Sequence, residues 1–272
     1  MARAEASQSS LLASKLRAKR HFVFDLDGCI WFGREAAPGA AELVAHLKRT
    51  GRTVSYLTNL STAEAPALVD RLAAMGIEAS AEAIVTPLSV LATHPAFAPG
   101  KRVLVVGRPA LREALARFGA EVVSKPARAE LVVLGSNPEL TFADLTVAAR
   151  ALDHGAPLLA LNLDRRVPLE GGTFMPGAGA LAALLEAATG VEAQLIGKPS
   201  VRFFEEALRR FGVMADEAGM VGDTPETDIA GGKAAGMLSV LVGDHQGERD
   251  DIVPDVRVAD LWELASLLSY ER

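Results

Sequence analysis

Phe22-Val23-Phe24-Asp25-Leu26-Asp27-Gly28 is an apolar run of strand type that delivers two carboxylates two residues apart, then a glycine. Buried strands do not end on paired acids unless a cation or a proton-transfer task holds them there. Three further segments end on a polar, mostly charged residue in the same manner. They are Tyr56-Leu57-Thr58-Asn59, Ile196-Gly197-Lys198-Pro199 and Met220-Val221-Gly222-Asp223-Thr224-Pro225-Glu226-Thr227-Asp228. The four segments together point to one phosphoryl-transfer site.

Around the first segment the chain alternates strand-like and helix-like stretches. Strands are expected over 22–25, 53–57 and 84–85. Helices are expected over 40–49, with Leu43, Val44 and Leu47 on one face, and over 64–75. That alternation predicts a parallel sheet with helices on both faces. A second α/β pattern follows, with strands over 103–106, 121–123, 131–134 and 158–161 and helices over 110–118 and 141–154. After a glycine-rich stretch at 171–179 and a helix over 180–188, the first style resumes. Its strands are 194–196, 219–221 and 239–242, and its helices 201–211 and 229–235. The residues that carry chemistry lie in the outer portions. The expected organisation is therefore a tail, 1–20, a discontinuous α/β core, 21–86 and 178–272, and an inserted α/β domain, 87–177.

In an open parallel sheet, ligands bind beyond the carboxyl ends of the strands. Asp25, Thr58 and Asp223 each follow an apolar strand, and Lys198 stands between a strand and a helix, so all are expected at one edge. If 25–27 is extended, Asp25 and Asp27 share one side of the chain. Their repulsion then calls for a divalent cation, and magnesium needs only a few carboxylates plus a phosphate oxygen. Asp223 and Asp228 add negative charge and Lys198 a fixed positive one, a balance suited to a phosphate dianion. By itself, 25–28 also reads as a strand followed by a carboxylate-rich turn.

With these motifs in order, D-x-D-G at 25–28, Thr58, Lys198 and G-D-x-x-x-T-D at 222–228, the sequence resembles the haloacid dehalogenase superfamily of phosphohydrolases. It is most similar to the subfamily IIA, or NagD-like, small-molecule phosphatases. The signs are Trp31 and Gly33, Pro38-Gly39-Ala40, Thr58-Asn59, Gly197-Lys198-Pro199-Ser200 and Pro176-Gly177-Ala178-Gly179. The resemblance implies a Rossmann-like core with an inserted α/β cap of C2 type. It makes Asp25 the nucleophile that forms an aspartyl-phosphate and Asp27 the acid and then the base. Thr58, Lys198 and the Asn59 amide would bind the phosphoryl oxygens. Asp25, Asp223 and the backbone carbonyl of Asp27 would hold Mg2+, with Asp228 orienting Lys198 or a metal-bound water. Asn162, Asp164 and Glu139, the last in a cap loop at 136–142, would touch the leaving group. Two positions depart from the subfamily. Leu60-Ser61 stands where a second asparagine and a serine are common, and Thr224 where an arginine is common.

Bulk properties set limits on partners. The chain has 272 residues, half of them hydrophobic, and a net charge of −6, which argues against a nucleic-acid partner. The lone cysteine, Cys29, permits no intramolecular disulfide and suits the cytoplasm; beside Asp25 it reads as a packing residue or as an oxidation-sensitive thiol. No apolar run is long enough to span a bilayer, and 1–20 lacks a signal-peptide core, so no membrane partner is expected. Lys15, Arg17, Lys19 and Arg20 read as a solvated tail or short helix. Gly171-Gly172 follows no clear strand, which favours a flexible return over a dinucleotide loop. The run 247–251 reads as a charged turn, and the five histidines show no metal spacing. The expected substrate is a small phosphorylated metabolite, such as a sugar, glycerol, glycolate, pyridoxal, nucleoside or nitrophenyl phosphate. A homodimer through the cap strands is an expected assembly. The alternatives are a phosphomutase and a non-catalytic phosphate-binding or signalling module.

Overall fold

The computed structural model describes residues 11–61, 64–168, 173–243 and 251–269. Gly171, Gly172, His245 and 247–250 lie outside the described residues. After a short helix over 11–17 come β1 His21–Asp25, β2 Trp31–Phe32, β3 Glu35–Ala36, α1 Ala40–Arg49, β4 Thr53–Leu57, α2 Ala65–Ala74 and β5 Ile84–Val85. Next come α3 Pro87–Leu91, β6 Arg102–Val106, α4 Pro109–Arg117, β7 Glu121–Val123, β8 Leu131–Leu134, α5 Phe142–Asp153, β9 Leu158–Ala160, β10 Arg166–Pro168, β11 Phe174–Pro176, α6 Ala178–Thr189 and β12 Ala193–Leu195. The chain closes with α7 Val201–Phe211, β13 Ala218–Gly222, α8 Ala230–Ala234, β14 Leu238–Val242, β15 Val256–Val258 and α9 Leu261–Ser269.

Two compact units result. The first takes the described residues of Met1–Thr58, Ala65–Val85 and Lys198–Arg272, the second those of Asn59–Glu64 and Thr86–Gly197. The first holds a parallel six-stranded sheet in the order β15-β14-β13-β1-β4-β5. Every residue of β1 is buried, and its middle, Phe22-Val23-Phe24, accordingly runs apolar instead of alternating. The chain leaves β1 toward β4 and β5, then returns on the other side to β13. The order therefore reverses between β1 and β13, the place where an open sheet leaves a crevice at its carboxyl edge. Helix α7 shows how the helices attach. Phe203, Phe204, Ala207 and Leu208 form its buried stripe, and each large apolar side chain contributes roughly 1.5–3 kcal/mol. Glu206, at the margin of that stripe, is held by Arg209 at 2.8 Å and Arg210 at 3.0 Å. Gly212 ends the helix at φ 61, a backbone conformation that costs a residue without Cβ nothing.

The helix over 11–17 is docked on this unit. Leu16 is fully buried, Arg17 donates to the Leu267 carbonyl at 3.1 Å, and Arg52 donates to the Arg17 carbonyl at 3.1 Å. Of the two sequence readings of this stretch, the short helix is the one observed. Among the described residues no helix is long and apolar enough to cross a membrane.

The second unit holds a parallel five-stranded sheet in the order β12-β9-β8-β6-β7. Leu104, Val106, Val132, Leu134 and Leu158 from the strands meet Ala182 and Leu185 from α6 in one core. The expected boundary at 177 gives way here. Strand β12 pairs with β9, Ala193 beside Leu158, and α6 packs into the same core, so the insertion runs to Gly197. In place of the expected loop before α6, β10 and β11 form an antiparallel pair, with Arg166 4.1 Å above the Phe174 ring.

His21 at the start of β1 is buried, with Thr53 Oγ1 2.7 Å from Nδ1 and Ser55 Oγ 2.8 Å from Nε2. Burial lowers its pKa from 6.5 to about 4. Between those values the unfolded chain binds more protons than the fold, so stability falls as pH falls through that window. The full effect is about 3 kcal/mol. In chemical denaturation at a series of pH values, His21→Gln is expected to flatten the decline between pH 6.5 and 4; an unchanged slope would refute a neutral buried imidazole.

Candidate active site

Strands β1, β4 and β13 lie side by side in register, Asp25 opposite Leu57 and Phe24 opposite Val221. The residues at and just beyond their carboxyl ends, Asp25, Thr58 and Asp223, therefore emerge together. Thr58 is buried, and its amide donates to the Val85 carbonyl at 3.2 Å. Lys198 begins the third segment of the chain that belongs to this unit. It does not follow a strand of the core sheet, as the sequence suggested, because the preceding strand β12 belongs to the other sheet. Its ammonium nevertheless reaches the acids, donating to Asp25 Oδ1 and, at 2.7 Å, to Asp228 Oδ1.

Asp228 sits in a wide, π-helical turn, Pro225–Ile229, where the sequence pattern had suggested only the approach to an α-helix. This turn brings the wholly buried Asp228 carboxylate back beneath the end of β13, and Oδ2 accepts the Thr224 N–H at 3.0 Å. A Cβ on Gly222 would strike that carboxylate. On the other side, Gly28 has φ +93, and a Cβ there would strike the carboxylate of Asp223. Only glycine lets both turns close on the acids.

Carboxylate oxygens of Asp25, Asp223 and Asp228 lie within 4.8 Å of one another. Burial pushes the Asp25 carboxyl well above the usual range; Lys198 opposes the shift, and Asp228 and Asp223 add to it. Burial, then Asp228, also raises Asp223. For Lys198 burial disfavours the charge, but Asp228 and Asp25 outweigh it and hold the group above the ordinary lysine value. Three acids around one ammonium leave surplus negative charge in a buried place. A hard divalent cation with oxygen ligands fits that donor set; Asp228 is the acid least open to it, since both its oxygens are engaged, Oδ1 by Lys198 and Oδ2 by the Thr224 amide, whereas Lys198 takes only Oδ1 of Asp25.

Asp27 stands apart from this cluster. Strand β1 stops at Asp25, and the chain turns at once, with Gly28 N donating to the Trp31 carbonyl at 2.9 Å and Ile30 N to the Leu26 carbonyl at 2.9 Å. The two acids are therefore not on one side of an extended segment: Asp25 is buried and Asp27 exposed. The indole N–H of Trp31 donates to Asp27 Oδ1 at 2.7 Å, and Arg71 lies 3.9 Å over the indole ring. The sequence reading missed this positioning role of Trp31; the Asp27/Trp31 spacing of one turn was the available signal. Cys29 is buried and its thiol donates to the Val221 carbonyl at 3.7 Å. Burial, and after it the nearby acids, raise its pKa.

Asn59, Asn162, Asp164 and Glu139 all belong to the second unit. Asn162 is buried, and its side-chain amide donates to the Asn59 carbonyl at 3.0 Å, fixing the chain just after Thr58. Glu139 and Asp164 are exposed. Glu139 N donates to Asn137 Oδ1 at 3.0 Å, and the Asp164 carbonyl accepts from Gly179 N at 3.0 Å.

Comparison with known proteins agrees with this geometry. The haloacid dehalogenase-like hydrolase family matches residues 22–121, and a second HAD-hydrolase-like family matches residues 195–264. An acid sugar phosphatase of Staphylococcus aureus (strain MRSA252) is 32% identical over 240 residues, 87% of this chain and 91% of that protein. The structure of a p-nitrophenyl phosphatase from Archaeoglobus fulgidus superposes with a TM-score of 0.84 at 32% identity, covering 91% of this chain and 98% of that one. A glycerol phosphate phosphatase from Mycobacterium tuberculosis, solved in complex with magnesium, gives 0.81 at 31% identity, over 92% and 78%.

Lys198→Met tests the charge balance. In metal-free protein at neutral pH it is expected to cost about 3–5 kcal/mol, because the buried acids lose the cation that pairs them. Without Lys198 the acids lose the charge that opposes their upward shift and bind more protons in the fold than in the wild type, so the deficit is larger at about pH 8 than at about pH 5. Denaturant titration at both values checks this; a deficit independent of pH would refute it.

Proposed function

We propose that this chain, which belongs to the haloacid dehalogenase-like hydrolases, hydrolyses small phosphomonoesters with the help of magnesium. The observation that carries the reading is the buried Lys198 bound to both Asp25 and Asp228, with Asp223 beside them at the carboxyl edge of the sheet. The similar proteins named as phosphatases support the same class.

The residues divide the work as follows. The Asp25 carboxylate attacks phosphorus in line with the leaving oxygen. A P–O bond to Asp25 forms as the ester P–O bond breaks. Lys198 and Thr58, with the Asn59 amide, bind the equatorial oxygens, so the site acts by positioning and charge stabilisation. Asp27 gives its proton to the leaving oxygen, and Trp31 fixes the carboxyl that does so. A water then attacks the aspartyl-phosphate, its proton passes to Asp27, and free phosphate leaves. Asp228 orients Lys198. Magnesium, held by Asp25, Asp223 and the carbonyl of Asp27, would neutralise the charge of the phosphoryl group. The sugar, glycerol, glycolate, pyridoxal, nucleoside and nitrophenyl esters are the panel from which the substrate is to be found.

Phosphate release over that panel, with magnesium and with excess chelator, tests the reading. Turnover is expected only with the metal, and Asp25→Asn is expected to reduce it to a trace, since an amide is a poor nucleophile and a weaker ligand. Full activity in chelator, or in the Asp25→Asn variant, would sink it. Asp27→Asn gives a separate check. It is expected to slow alkyl phosphates at least about tenfold more than 4-nitrophenyl phosphate, whose leaving group needs little protonation. Equal losses, in single-turnover measurements that isolate the first step, would count against Asp27 as the acid.

A further inference from the structure

Arg71 stands on α2 and makes no ion pair among the described residues. Its guanidinium carbon instead lies 3.9 Å from the centre of the Trp31 ring, and its Nη2 donates to the Gly33 carbonyl. Arg71, Trp31, Gly33 and Asp27 all belong to the first unit. The position of Arg71 is fixed from below, because Leu68 and Leu72 of the same helix are buried.

The segment it reaches needs an anchor. Strands β2 and β3 are two residues each, Trp31 opposite Ala36 and Phe32 opposite Glu35. So short a ribbon is marginal by itself. At its base the backbone is tied, with Trp31 N donating to the Leu26 carbonyl at 3.0 Å and Gly28 N to the Trp31 carbonyl at 2.9 Å. At its tip the tie is Arg71 on Gly33. Arginine suits this place better than lysine, since its planar fork can lie on a ring and donate to a carbonyl at once.

The indole carries the effect to Asp27. Trp31 is fully buried, and its one polar group is a donor that needs an acceptor there. It finds Asp27 Oδ1 at 2.7 Å, which leaves Oδ2 of the exposed carboxyl without a protein partner among the described residues. A cation over the ring face is attracted to it and holds the ring in one orientation. The direction of Oδ2 is therefore set by a chain of two contacts, Arg71 on the indole and the indole on Oδ1.

We propose that Arg71 is a positioning residue for proton transfer: by holding the Trp31 indole it directs the free oxygen of Asp27 toward the leaving oxygen. This rests on the phosphatase reading with Asp27 as the acid. Two measurements test it. The first needs no turnover. The chain has two tryptophans, Trp31 and Trp262, so Trp262→Phe leaves Trp31 as the reporter. In that protein Arg71→Ala is expected to raise acrylamide quenching, because the covered ring face opens to water. The second compares single-turnover rates, with magnesium, of phenyl phosphate and 4-nitrophenyl phosphate, which share a ring and differ in how much their leaving oxygens need a proton. Arg71→Ala is expected to slow the phenyl ester about fivefold more than the nitrophenyl ester, and Arg71→Lys by less. In the Asp27→Asn background Arg71→Ala is expected to leave the ratio of the two rates in place. A loss of general rigidity would instead slow both esters alike, in both backgrounds. Should Arg71→Ala fail to fold, Arg71→Gln, which keeps the length and removes the charge, takes its place. Unaltered quenching, an unaltered ratio, or the same change of ratio with Asp27→Asn overturns the positioning role and spares the phosphatase reading. Failure of the wild type to release phosphate from any ester overturns that reading, and the positioning role with it, whatever the quenching shows.

Discussion

The ammonium of Lys198, held between Asp25 and Asp228, is the interaction on which the arrangement of the first unit depends. It joins three stretches remote in sequence: the end of β1, the return from the insertion and the turn after β13. Burying three charged groups is costly, and one lysine cannot balance the acids around it. The site is thus poised short of neutrality. A divalent cation with oxygen ligands can offset that surplus.

The sheet explains why so few residues are needed. A buried parallel strand carries little polar information along its length, and its carboxyl end opens directly on the crevice. The acids can therefore be presented at the ends of strands whose apolar bodies are fixed by packing. Close approach of the turns follows from two glycines, Gly28 and Gly222, where any side chain would displace Asp223 or Asp228.

That logic also explains what the sequence made legible. Strands such as 53–57 and helices such as 40–49 and 201–211 were readable to the residue because burial on both faces, or on one stripe, writes a clear pattern. Asp25 and Asp223 were recognisable because charged residues rarely end apolar strands, and Lys198 and Asp228 from the motifs at 197–200 and 222–228. Asp27 was harder. Its carboxylate is directed by a tight turn and by the Trp31 indole, and neither is visible in an alternation rule. The edge strand β12 was assigned to the wrong sheet because Ala193-Gln194-Leu195 carries no mark of which neighbour it pairs with. The π-helical turn at 225–229 was hidden because its residues suit several turn types, and the closeness of Asp228 to Gly222 emerges only in three dimensions.

The two units share an architectural principle but differ in charge. At its reversal the first places acids and a lysine; at its own the second places hydroxyls and an arginine around a small hollow. On the proposed reading the first set would address a phosphoryl group, common to every phosphomonoester, and would not discriminate among leaving groups. Discrimination has to come from groups that meet something other than phosphate. Residues 59–61 follow Thr58 yet pack within the second unit, Asn59 through Asn162 and Ser61 beside Gly135. The backbone thus passes directly from Thr58 in the first unit to residues that pack within the second. Loops on the second sheet can change without disturbing the charge balance of the first, because the contacts that join Lys198 to Asp25 and Asp228 are made within the first unit.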